Sequence, residues 1–188
     1  MDLCASLHRS KGIARATVLH DLGFSRAEID RAVQKGSITR PSNGWLALRD
    51  TDEELVDAAR RSALLSCITQ ARRLGLWVFT EPKLHIASRT PVSRTDGTGC
   101  VVHWGKPIIP RVLWALEDSL ENVLGYVADC QPREAALAIW ESALNKQLIT
   151  LDRLSVLPYR QRARSLLAQA SPYSDSGLES FVNDRLRW

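Results

Sequence analysis

Arg26, Arg31, Gln34 and Lys35 fall within one short stretch, SRAEIDRAVQK. A guanidinium presents a planar fork of donors, and a carboxamide offers donors and an acceptor side by side. On a helix, Ala27, Asp30, Arg31 and Gln34 share one side, while Ile29, Ala32 and Val33 share the other. Arg31 and Gln34 therefore suit the edges of guanine and adenine, and Arg26 and Lys35 on the flanks suit phosphate oxygens. Ala27 is small enough for close approach or for a thymine methyl. Asp30 suits a cytosine amine, or opposes phosphate. The same residue types also make an ordinary solvated helix face, and the helix alone leaves both readings open.

Downstream, Arg40, Ser42 and Asn43 stand at the tip of an expected hairpin, where Arg40 is placed to enter a minor groove. Upstream, Arg15 at the start of a preceding helix is a further phosphate candidate. This gives nine candidate DNA-binding residues: Arg15, Arg26, Ala27, Arg31, Gln34, Lys35, Arg40, Ser42 and Asn43.

Other chemistry is sparse. Cys4, Cys67, Cys100 and Cys130 are far apart, and no C-x-x-C pair occurs. Cys100-Val-Val-His103 is the one close Cys/His pair, with no second pair in the sequence to complete four ligands. The expectation is therefore four free thiols, no metal and no cofactor. His8, His20, His85 and His103 have no sequence-local acid or nucleophile, and no phosphate-binding loop, Rossmann glycine pattern or nucleophile elbow is present. Trp77, Trp104, Trp114 and Trp140 lie in apolar contexts and are expected in a core.

The elements that must position these residues follow from periodicity and punctuation. Helices are expected over 3–10, 14–22 and from Ser25 to about Lys35, closed by Gly12, Gly23 and Gly36. Ser25 and Glu28 form a capping box behind the apolar staple Phe24. Strands over 38–40 and 45–48 flank the turn Pro41-Ser42-Asn43-Gly44. Three short helices and a hairpin form the winged helix-turn-helix layout. A second capping box, Thr51 to Glu54, opens a long helix over 52–73 with Leu55, Ala59, Ala63 and Ile68 buried. Strand-like runs follow at 77–79, 84–88 and 100–104, the last expected to be buried, and helices at 119–129, 132–146, 151–157 and 159–170.

The chain is 188 residues long, 45% hydrophobic and 24% charged, which marks a globular protein of one or two domains. Residues 1–50 hold eight Lys/Arg against five Asp/Glu, so they carry +3 of the net +4. That asymmetry points to a polyanionic partner at the N-terminal end. No apolar run is long enough for a bilayer, and the start lacks signal-peptide features, so a soluble cytoplasmic protein without a membrane partner is expected. The fold class expected is α+β, mostly helical: a winged helix over 1–50, an α/β middle domain over 51–170 ending in helices, and a linker with an amphipathic helix over 171–188.

Ile13-Ala14-Arg15-Ala16, Gly23-Phe24-Ser25, Arg40 and Gly44-Trp45-Leu46-Ala47-Leu48 together resemble the N-terminal winged helix of the AbiEi-type antitoxins of type IV toxin–antitoxin systems. RRSALLSCITQARRLGLW followed by KLHIAS is similar to the segment after that domain. The resemblance covers most of the chain in loose motifs. It implies a double-stranded DNA-binding transcriptional repressor, or a module that neutralises a nucleotidyltransferase toxin. The tail SPYSDSGLESFVNDRLRW resembles the opening helix of a very-short-patch-repair-like endonuclease domain, with Glu179 matching its first carboxylate. In that family an Asp and a Glu-x-Lys complete a metal-dependent nuclease. Neither follows Glu179 here, and Ser176 to Glu179 is also a capping box. The chain itself is therefore expected to have no catalytic residue. Its alternative role is the targeting part of a longer nuclease.

Overall fold

A computed structural model describes residues 2–79, 82–90 and 95–172. Its order is α1 (Leu3–Arg9), β1 (Ile13–Arg15), α2 (Ala16–Asp21), α3 (Arg26–Gln34), β2 (Ile38–Thr39) and β3 (Trp45–Leu48). Then come α4 (Glu53–Arg60), β4 (Ala63–Leu65), α5 (Cys67–Arg73), β5 (Leu84–Ser88) and β6 (Cys100–His103). Four helices close the described chain: α6 (Leu120–Cys130), α7 (Arg133–Asn145), α8 (Leu151–Ser155) and α9 (Gln161–Leu167). The class is α+β with helix predominant. No helix among the described residues is long and apolar enough to cross a membrane.

The first sheet is antiparallel, in the order β1-β3-β2. Alternation along β3 splits its side chains between two cores. Leu46 and Leu48 join Leu7, Leu19, Phe24, Ile29 and Ile38 beneath the first three helices. Trp45 and Ala47, with Ile13, instead pack on Leu55, Ala58 and Ala59 of α4 and on Leu65 and Ile86 beyond. The sheet is thus buried on both faces, and residues 1–50 pass into the rest of the chain through a shared core.

Hydrogen bonds and ion pairs reinforce that joint. The Thr51 hydroxyl donates to the Gly12 carbonyl, 2.8 Å away. Arg73 pairs with Asp52, Glu54 and Glu117, and Lys11 also reaches Glu117. These contacts replace the second capping box. Asp52, not Thr51, caps α4, accepting from the Glu54 amide, while Thr51 faces inward.

The second sheet runs β4-β5-β6, antiparallel then parallel. It breaks the helix expected over 52–73. Ser62 adopts φ 54, a left-handed conformation that ends α4, and Ala63, Leu64 and Leu65 form a fully buried strand against β5. A run apolar on every side has no helical stripe, so pairing partners rather than local periodicity decide its state. The free side of β4 is covered: the Leu65 amide donates to Leu116 O, and the Asp118 amide to Leu65 O. α5, α6, α7 and α9 pack with one another around Trp140, which is wholly buried and donates its indole N–H to Leu124 O at 3.1 Å.

Four smaller expectations change. Ala14 and Arg15 extend as strand instead of opening α2, because β1 pairs with β3. Residues 77–79 form no strand. Cys100–His103 is a strand, but a half-buried one. Of the four tryptophans expected in a core, Trp104 and Trp114 are substantially exposed. The amphipathic segment containing Glu179 lies outside the described residues.

Beneath the sheet–helix interface is a buried ion pair. Asp118 has no exposed side-chain surface and holds Arg111 through both carboxylate oxygens, at 2.9 and 3.2 Å. Ser66 and Asn122 donate to the same carboxylate. Burial works against the charged form of Arg111, and the adjacent Asp118 more than offsets it, so the guanidinium holds its proton above the ordinary range.

Candidate nucleic-acid interface and a buried thiol–imidazole cluster

The capping box at the start of α3 forms in full: Ser25 accepts from the Glu28 amide, and Glu28 accepts from the Ser25 amide at 2.7 Å. The Ser25 contacts draw the Glu28 carboxyl below its usual range. Ile29 is buried and Ala32 and Val33 are half-buried, which fixes the rotation of the helix. The opposite side carries Arg26, Ala27, Arg31, Gln34 and Lys35, all exposed. None of the three cations makes an ion pair among the described residues. The Arg31 Nε donates to Ala27 O, its own helix one turn back, at 3.3 Å.

The other candidates are engaged. Arg40 is ion-paired with Asp30 across the gap between α3 and the hairpin, both side chains about half exposed. That contact gives Asp30 a local cation and occupies the guanidinium expected at the wing. Arg15 turns inward: it donates to Asn43 O at 3.0 Å and stacks on Trp114, 4.3 Å from the ring centroid. Its Nε is buried with no partner among the described residues. Gly44 makes this possible. It sits at φ +75, and a Cβ there would meet the Arg15 guanidinium at 2.9 Å. Arg15 is thus a strut between the hairpin tip and Trp114. Asn43 is exposed at that tip, with Ser42 half-buried beside it.

A second set of chemistry-bearing residues comes together on other elements. Cys67, His85, His103 and Cys130 place one donor atom each so that all four atoms lie within 4.8 Å of one another. Four elements supply them. Cys67 opens α5 at φ 49, a left-handed conformation that is uncommon for a side-chain-bearing residue. His85 and His103 project from one face of the parallel pair β5 and β6, since His85 pairs with Val101 and Ala87 with His103. Cys130 is the last residue of α6. The turn before Cys67 is fastened to β5: the Ser66 amide donates to His85 O, and the His85 amide to the Thr69 hydroxyl.

Within the cluster, His85 Nδ1 lies 3.4 Å from His103 Nε2 and 3.8 Å from Cys130 Sγ. The His103 ring also lies against Tyr126, with centroids 4.9 Å apart. The two thiols are driven apart in acidity. The Cys67 thiol donating to Cys130 raises Cys67 and, together with the imidazoles, favours the Cys130 thiolate, while burial pushes Cys67 up further. In the sequence these residues are single letters separated by long intervals, and the only local signal is a histidine in each of two strand-like runs. Neither a known family model nor a curated protein matches the chain.

Proposed function

We propose that the chain is a sequence-specific double-stranded DNA-binding protein, a transcriptional repressor of the antitoxin type. Residues 1–50 act as a winged helix-turn-helix, in which α2 and α3 form the helix pair and the β2–β3 hairpin the wing. The observation that carries this reading is the outer face of α3. Arg26, Arg31, Gln34 and Lys35 are exposed there, and none of the three cations is in an ion pair among the described residues. A helix of nine residues spans about 13 Å, enough to lie in a major groove about 12 Å wide. Arg31 and Gln34 read base edges, and Arg26 and Lys35 hold phosphates. Arg40 and Arg15 support the wing through Asp30 and Trp114.

The test is a selection from random duplexes followed by titration at increasing salt. Log affinity is expected to fall linearly with log salt, with a slope of about −0.9 per phosphate contacted. Salt-independent binding, or enrichment of no sequence, removes the reading. A second reading, docking to a protein such as a toxin, is favoured by Val112 and Leu113, which stand about three-quarters exposed next to Trp114. Capture of such a partner that persists in an Arg31→Ala chain would favour it.

A further inference from the structure

We propose that Cys67, His85, His103 and Cys130 together bind one zinc ion, as a closed structural site that fastens α5, β5, β6 and α6 to one another. Two sulfurs and two imidazole nitrogens in a tetrahedral set are the donors zinc takes in structural sites. The spacing agrees. Bonds of about 2.0–2.1 Å to nitrogen and about 2.3 Å to sulfur put tetrahedral nitrogens about 3.3 Å apart and a nitrogen about 3.6 Å from a sulfur. The observed separations are 3.4 Å between the two imidazole nitrogens and 3.8 Å between His85 Nδ1 and Cys130 Sγ.

Pairwise hydrogen bonding uses only part of this donor set. His85 is 2% exposed. Its Nδ1 faces a second imidazole nitrogen and a sulfur, so three lone-pair donors stand together out of solvent. Burying an imidazole in this way is costly unless something satisfies it. A cation at the centre uses every converging lone pair at once. Four protein donors leave no open coordination position, so the site is structural and not hydrolytic. Gln131 donates to Cys130 Sγ at 3.4 Å, the kind of contact that steadies a ligating thiolate.

The left-handed backbone at Cys67 fits the same account. A residue held there costs energy unless its surroundings over-determine it. The Ser66 and Thr69 contacts with His85 supply part of that constraint, and the metal bond supplies the rest.

The experiment measures metal in the full chain, purified under reducing conditions without chelator. About one zinc per chain is expected. After unfolding with chelator and refolding with cobalt(II), the chain should show the visible d–d bands of a tetrahedral site and thiolate-to-metal charge transfer. Cys130→Ser and His103→Gln should lose the metal, and Cys100→Ser, on the same strand as His103 but outside the cluster, should keep it. A folded chain that carries no zinc and develops no cobalt bands overturns the proposal. So does metal retained in both ligand variants, or a Cys67–Cys130 disulfide as the folded state under reducing conditions. If a ligand variant fails to fold, the zinc content and cobalt spectrum of the unaltered chain still decide.

Discussion

The two small sheets carry their polar chemistry on opposite terms. Around β1, β2 and β3, apart from the inward Arg15, the charged groups stand outside. α3 exposes Arg26, Arg31 and Lys35, and the Asp30–Arg40 pair is half in solvent. Around β4, β5 and β6 they are inside. Asp118 holds Arg111 in the core, and two thiols converge on two imidazoles. Solvent sets the difference in strength. A surface pair competes with water and salt, while a buried one must be satisfied or the fold suffers. The outer set can be altered with little cost to folding, and so is free to serve recognition. The inner set is bound to stability.

The largest expected effect is on the inner set. If the thiol–imidazole cluster holds zinc, removing the metal takes away binding energy available only to the folded chain. With free metal about a thousand times the dissociation constant, that is about 4 kcal/mol. For a chain of this size it corresponds to a thermal midpoint lower by about 8–16 °C. Calorimetry with and without chelator, on chain previously shown to bind metal, checks this. An unchanged midpoint would place the inner set on the same footing as the outer one.

Asp118→Ala comes next. It leaves Arg111 buried beside its lost partner and takes an acceptor from Ser66 and Asn122. The expected loss is about 3–5 kcal/mol, read as a lower urea midpoint at unchanged slope. DNA affinity measured on the folded fraction should not move.

Arg31→Ala reverses that pattern. It should cost about 1–3 kcal/mol in binding to the selected duplex, or about 5- to 150-fold, while the urea midpoint stays within about 0.5 kcal/mol of the unaltered chain. Lys35→Ala should instead weaken binding to all sequences alike and reduce the salt slope by about 0.9.

The outer set was legible because its residues are neighbours in the chain. From Ser25 to Lys35 one helical period separates Ile29, Ala32 and Val33 from Arg31 and Gln34, and the capping box fixes where the helix starts. Side-chain pairings across elements were not legible there. Nothing in the letters says that Arg15 turns toward Trp114 or that Arg40 meets Asp30. The inner set was illegible for a different reason. His85 and His103 meet only once β5 and β6 lie parallel, and Cys67 reaches them only because Ser62 breaks the helix that the local pattern favoured. Nor do the four apolar letters of Trp45–Leu48 say that α4 covers the second face of β3.

The smallest effect on folding separates the two aspartates most clearly. Asp30→Asn removes an exposed partner of Arg40, and such pairs contribute about 0–1 kcal/mol, so stability should change little. Binding should move the other way. The substitution deletes a negative charge from the face that carries Arg26, Arg31 and Lys35, and it releases the Arg40 guanidinium at the base of the wing. Affinity for duplexes of any sequence should rise a few-fold at low salt, and the salt slope should steepen by about 0.9 if Arg40 takes up a phosphate. Titration of unrelated duplexes at several salt concentrations reads both. An unchanged slope would mean that Arg40 never reaches DNA and that the pair with Asp30 only ties the hairpin to α3. Weaker binding would mean that Asp30 itself reads a base.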